Sequence, residues 1–237
     1  MRTEKIRYAL RKTDFKSSIF LTFDIDWCSD EVLEYTLNIL EAYNLKATFF
    51  VTHDTDMLDY MRKNNRLDLG IHPNFNYLLN GDFRYGSNVE DVVKYYKKIV
   101  PDAVSVRSHS VTQSSQILYA FYKEGLRVDS NVFIPFDSGI NLSPFECGGL
   151  LRVPYFFADD VRVSMRWDYD VELYLSQNSL KVFDFHPIHI FLNTENLERY
   201  NAAKPYMHDF KKLKEFINTE AYGTKDFLID LIKGIKQ

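Results

Sequence analysis

No window of this chain is long and apolar enough to span a bilayer, and its first residues contain no continuous apolar stretch of the kind that directs export. A cysteine framework is also missing. The two cysteines, Cys28 and Cys147, lie far apart and outside any Cys-x-x-Cys pattern, so they read as a reduced pair rather than a disulfide. Charge of neither sign is concentrated: 29 basic and 33 acidic residues are mixed along the chain for a net charge of −4, and no basic stripe suits a polyanion. There is no internal repeat, and no compositional break marks a linker. These absences predict one domain over 1–237, cytoplasmic, with no membrane insertion and no nucleic-acid partner. No feature of the sequence assigns an oligomeric state.

What is present is a hydrophobic content of 46% with 19 Phe and 16 Tyr, enough for a sizeable core and an excess of flat apolar faces of the kind that pack against sugar rings. The run Ile19-Phe20-Leu21-Thr22-Phe23-Asp24-Ile25-Asp26-Trp27 is β-branched and aromatic, and it reads as a strand. Alternate residues of a strand share a face, so Asp24 and Asp26 project together where the apolar run stops. Two adjacent carboxylates repel, and a cation or a shared proton between them is the usual remedy; alternatively, Asp26 merely starts the next helix.

The following segments alternate. A helix from Ser29 carries Val32, Leu33, Thr36, Leu37 and Leu40; a strand covers 46–52; a short helix carries Met57, Leu58 and Met61; and a strand over 67–71 delivers His72. This β-α-β-α-β order predicts a parallel sheet with right-handed crossovers. Residues 73–86 read as a loop, a capping box at Ser87 to Glu90 opens the next helix, and a strand over 103–106 delivers Arg107 and His109. A helix from about 114, a strand over 126–129, an irregular region over 130–178 and a late strand over 180–185 follow. The late strand delivers His186 and, three residues on, His189.

The ionisable residues thus fall directly after predicted strands, on the face where parallel α/β folds bind ligands. Imidazoles plus a carboxylate on one rim suit a divalent transition metal, which makes bound water nucleophilic near neutral pH. A further carboxylate to take the proton and a histidine to protonate the leaving group would complete an amide or ester hydrolase.

The order Thr-Phe-Asp-x-Asp, Gly-x-His, Arg, Asp-Ser at a strand end and late His-Pro resembles the polysaccharide deacetylase (chitin deacetylase-like) family over about residues 18 to 190. The resemblance implies an α/β fold, a distorted (β/α) barrel of about seven parallel strands. It implies Asp24 as catalytic base, Arg107 as the group that holds it, His186 as general acid, and Asp26 and His72 as ligands of a divalent metal, zinc first, with cobalt or nickel as alternatives. Two positions depart from the family pattern. The second metal histidine, four residues after the first, is here Asn76, and the usual Arg-x-Pro is Arg107-Ser108-His109. We therefore expect His109 as third ligand, with Asn76 the alternative.

Asn76, His189, Trp27 and Tyr77 are candidate substrate contacts, with Phe83 and Tyr85 as further rim aromatics; His189 could instead tune His186 or pack. Asp184 or Asp129 could orient His186, and Trp167-Asp168-Tyr169-Asp170 is a third candidate for that role. His53 and His208 read as structural. The expected activity is removal of an N-acyl group from an amino sugar or sugar conjugate, a precursor of a surface polysaccharide. The alternative is a catalytically inactive carbohydrate-binding barrel that has lost its metal.

Overall fold

An apolar run buried on both faces needs a neighbour on each side, and Ser18–Asp24, buried over its whole length, has them. The computed structural model describes residues 1–11, 15–26 and 28–236. Its strands are β1 (Arg2–Glu4), β2 (Ser18–Asp24), β3 (Ala47–Val51), β4 (Leu67–Ile71), β5 (Ser105–Val106), β6 (Val128–Asp129), β7 (Phe145–Cys147), β8 (Leu150–Arg152), β9 (Phe157–Ala158) and β10 (Lys181–Phe185). They form one sheet in the order β7-β8-β6-β5-β4-β3-β2-β10-β9, with β1 beside the start of β2. Every pair is parallel except the β7–β8 hairpin. The sheet curls into a half-barrel whose edge strands, among the described residues, do not meet.

The expectation of about seven strands is corrected to nine along this path, plus β1. The extra strands are only two or three residues long, too short to show alternation, and they exist because a neighbour pairs with them.

The helices are α1 (Asp30–Ala42), α2 (Met57–Lys63), α3 (Asn76–Leu79), α4 (Val89–Ile99), α5 (Ser115–Lys123), α6 (Asp159–Met165), α7 (Val171–Leu175), α8 (Pro187–Leu192), α9 (Leu197–Ala203), α10 (Phe210–Leu213) and α11 (Thr224–Lys236). In α1 the buried residues are the predicted Val32, Leu33, Thr36, Leu37 and Leu40. The cap of α4 sits one residue later than predicted: the Asn88 side chain accepts from the Asp91 N–H at 2.9 Å, and the Asp91 carboxylate accepts from Ser87. The predicted 73–86 loop contains the single turn of α3.

The aromatic excess goes chiefly into the core. Phe23 stacks on Phe49 at 4.8 Å, and Phe157 packs against Phe183, Phe185 and Phe227 at 4.9–5.5 Å. Gly70 lets β4 approach β5 closely, since a Cβ there would meet the Ser105 carbonyl and the Phe50 ring at 2.7 Å. The register then sets the site. Phe23 pairs with Phe49 and Phe185, Val51 with Ile71, Ile71 with Val106, and Val106 with Asp129, so the carboxyl ends finish at nearly one level.

Candidate active site

Asp24 closes β2, and Asp26 follows two residues later. Between these carboxylates lies the ring of His72, the first residue after β4, with Nδ1 3.6 Å from Asp24 Oδ2 and Nε2 3.2 Å from Asp26 Oδ2. The other Asp24 oxygen accepts from Arg107 Nη1 at 3.1 Å. Arg107 is the first residue after β5 and is fully enclosed. Its guanidinium lies 4.6 Å from the Phe50 ring and 4.4 Å from that of Tyr155, and Nε and Nη2 donate to the Ser130 carbonyl and hydroxyl at 3.2 and 3.0 Å. Arg107 Nη1 also donates to Asp184.

One cation therefore serves two buried carboxylates. Burial pushes the Asp184 carboxyl well above the usual range; Arg107 offsets part of this, and Asp24 adds to it. Asp184 was a candidate to orient His186. Its strand face is the predicted one, but the group it engages is Arg107, delivered by a strand on the far side of β2.

Asp26 Oδ2 also lies 2.7 Å from Nδ1 of His109. Asp26, His72 and His109 each present a ligand atom within 4.8 Å of the others. Burial alone would raise the Asp26 pKa, but His72 and His109 hold it well below the usual carboxylate range. Burial disfavours charge on His72, and Asp24 and Asp26 outweigh it, so its pKa is raised. The residues fit a divalent cation in chemistry as well as position. Two imidazoles and one carboxylate are the donors zinc takes, and the buried Nδ1 of His72 has no hydrogen-bond partner while facing Asp24, the carboxylate-behind-imidazole arrangement of metal sites.

A backbone turn aims His109. Ser110 and Val111 have φ of 54° and 46°, the left-handed region, where a β-branched residue is strained by about 1–3 kcal/mol. Asn76 braces this turn through Nδ2 to Ser110 Oγ at 3.2 Å. With its amide so engaged, Asn76 is not among the residues that line the cavity described below.

His186 follows β10. Its Nδ1 lies 2.7 Å from Asp159 Oδ1, and its backbone N–H donates to Asp159 Oδ2 at 2.8 Å. Burial would lower the His186 pKa, but Asp159 reverses this and holds it well above the ordinary histidine value. Asp159, directly after β9, is the group that sequence reasoning missed. Its signal was an apolar run ending in aspartate, Phe156-Phe157-Ala158-Asp159, of the same form as Phe23-Asp24. The two remaining candidates for orienting His186 lie elsewhere: Asp129 is paired with Arg152 and Asn131, and Asp170 caps α7 at the Leu173 N–H.

His189 is buried, bonded to Thr194 Oγ1 at 3.1 Å and packed on Tyr200, so it is not on the cavity wall proposed for substrate. Tyr77 is half-buried under the Arg84 guanidinium. It lines a separate cavity of about 230 Å³ that also touches Asp26, His53 and His208. Trp27 lies outside the described residues. Cys28 is free and buried, and burial with the nearby Asp26 and Asp30 pushes its thiol up, away from the reactive thiolate.

Asp24, Asp26, His72, Arg107, His109, Asp184 and His186 all reach one cavity of about 300 Å³, walled on its apolar side by Phe133, Tyr155 and Val111. It holds a candidate base on a guanidinium, a candidate metal triad, and an imidazole fixed by a carboxylate. Among the described residues no helix is long and apolar enough to cross a membrane.

Residues 21–204 match the family described as WbmS-like polysaccharide deacetylase. The fold is similar to a crystal structure from Bordetella bronchiseptica of a protein described as a polysaccharide deacetylase involved in O-antigen biosynthesis. The two are 37% identical, with 98% of each chain covered and a TM-score of 0.89. A protein from Mycobacterium smegmatis, also described as a polysaccharide deacetylase, is 14% identical with 94% and 92% of the chains covered and a TM-score of 0.49. No curated protein matches the sequence.

Proposed function

Because the chain belongs to the WbmS-like polysaccharide deacetylase family, we propose that it is a metal-dependent hydrolase that removes an N-acyl group, acetyl first among them, from an amino sugar. The observation that carries this reading is the meeting of Asp26, His72 and His109 in one cavity with the Asp24–Arg107 and His186–Asp159 pairs. The O-antigen role of the Bordetella protein suggests a sugar of a surface polysaccharide or its precursor.

Asp26, His72 and His109 would hold the cation, zinc by donor set with cobalt or nickel as alternatives; when bound it supplies Lewis acidity toward the acyl oxygen and lowers the pKa of water. Asp24 takes the proton of the attacking water. Arg107 keeps that carboxylate in one orientation, and the Phe50 and Tyr155 rings hold the guanidinium in place. With Nδ1 bonded to Asp159, His186 has Nε2 left to protonate the departing amine. Phe133, partly exposed on the cavity wall and backed by Tyr155, offers a flat apolar face to the sugar ring.

Metal analysis of chelator-free protein tests the site directly. After loading with a single equivalent of zinc and desalting, the wild type and Asn76→Ala are expected to hold near-stoichiometric, tightly bound metal, and Asp26→Ala and His109→Ala to have lost that tight equivalent. A wild type that takes up neither zinc, cobalt nor nickel would remove the proposed mechanism.

The pH profile tests the acid. Activity needs His186 protonated, and its raised pKa carries the protonated form upward in pH. Asp159→Asn removes the main cause of that rise, so the alkaline limb of kcat is expected to move to lower pH, while an unmoved limb would assign the acid elsewhere. The same pair stabilises the fold fully below about pH 6.5, the free imidazole value, and that stability is lost as pH rises through the folded pKa.

A further inference from the structure

Behind His186 lies a second set of metal-binding groups that the proposed deacetylation does not require. Asp159, His186 and His189 each offer a ligand atom, and the three atoms lie within 4.8 Å of one another. The arrangement follows from local structure. His186 caps α8 and His189 is three residues on, which brings the rings to one side of the first turn with centroids 5.7 Å apart and planes at 89°. Asp159 comes in from the end of β9, which pairs with β10, the strand that His186 follows.

His189 is prepared as a ligand. Its Nδ1 is bonded to Thr194 Oγ1, which leaves Nε2, and burial lowers its pKa and keeps the ring neutral, as ligation requires. The Asp160 carboxylate lines the cavity alongside His186 and adds negative potential where an ion would enter.

We propose that Asp159, His186 and His189 form a second zinc site, weaker than the first and filled when the metal is in excess. It is weaker because an ion must take the place of the hydrogen bond between His186 Nδ1 and Asp159 Oδ1, at 2.7 Å, and compete with the His186 backbone N–H for the other carboxylate oxygen, at 2.8 Å. Binding there releases the His186 proton to solvent. The functional consequence rests on the reading of His186 as general acid: with zinc in place of the Nδ1 proton the ring keeps its Nε2–H but is no longer an imidazolium, and a neutral imidazole N–H is too weak an acid to protonate the leaving amine, so excess zinc inhibits.

The test is zinc titration of metal-free protein against a chromophoric chelator, together with anomalous diffraction from wild-type crystals soaked in zinc, which needs no variant to fold. The wild type is expected to bind a second, weaker equivalent, with an anomalous peak among Asp159, His186 and His189. His189→Gln is expected to lose that equivalent and keep the first, and Asp26→Ala to do the reverse. In activity assays His189→Gln keeps basal turnover and loses inhibition by excess zinc.

A wild type with a single equivalent, lost in Asp26→Ala and kept in His189→Gln, overturns the second site and leaves the deacetylase reading intact. A single equivalent lost in His189→Gln and kept in Asp26→Ala supports this site and overturns the first. A second equivalent that survives His189→Gln, or a wild-type map with no peak at these residues, also overturns the proposal.

Discussion

Asp24→Asn is expected to lower kcat by about two to four orders of magnitude, the usual contribution of a positioned general base. The substitution keeps the shape of the side chain and removes its capacity to take a proton. Arg107 still has Asp184 beside it, and Ser130 still accepts from Nε and Nη2, so the guanidinium keeps its place. The metal content of the Asp26–His72–His109 set should be unchanged, because Asp24 stands behind His72 rather than in that set. Steady-state kinetics with parallel metal analysis separate these effects. A variant with full metal and undiminished kcat would show that the base lies elsewhere, and one that loses metal as well would place Asp24 among the ligands.

Arg107→Met is expected to destabilise the fold by about 3–5 kcal/mol, the scale for stripping the partner from a buried ion pair. Methionine fills much of the space between the Phe50 and Tyr155 rings, so lost packing is a minor part of the effect. The larger part is electrostatic: Asp24 and Asp184 would face each other in the interior with no cation, and the Ser130 carbonyl and hydroxyl would lose their donors. Combining Arg107→Met with Asp184→Asn should recover part of the loss by removing one of the two stranded carboxyl groups, and a double-mutant cycle from denaturant melts reads that coupling. If Arg107→Met unfolds at the wild-type midpoint, the guanidinium is not what holds this pair of carboxylates.

The sheet and most of the rim were legible in the sequence because each depends on local pattern. β2, β3, β4 and β10 are runs of five to seven largely apolar residues, long enough to read, and all but β3 deliver a rim residue within two positions of their end. Asp159 was signalled only by the short apolar run before it, too short to read as a strand. Its strand is two residues long and exists because Phe157 and Ala158 pair with Phe183 and Asp184, a non-local fact. The case of Asp184 shows a different limit. Alternation placed it on the same face as His186, but alternation cannot say which neighbouring strand brings the partner, and here β5 brings Arg107. His109 could be suspected from its motif; its approach to Asp26 depends on left-handed backbone at Ser110 and Val111, which neither residue type signals.

In the pattern this chain resembles, two metal histidines ride one helical turn. Here Asp26, His72 and His109 come instead from the ends of β2, β4 and β5, so an ion held among them would staple three strand ends across the top of the intervening β3. Such a cross-link closes two long loops of chain at once, and an unfolded chain has no equivalent of it. Metal occupancy would then act on the cohesion of the half-barrel as well as on its chemistry. Melting temperature would rise with free zinc, and stripping the ion would first free the short β5 and the strained turn beyond it.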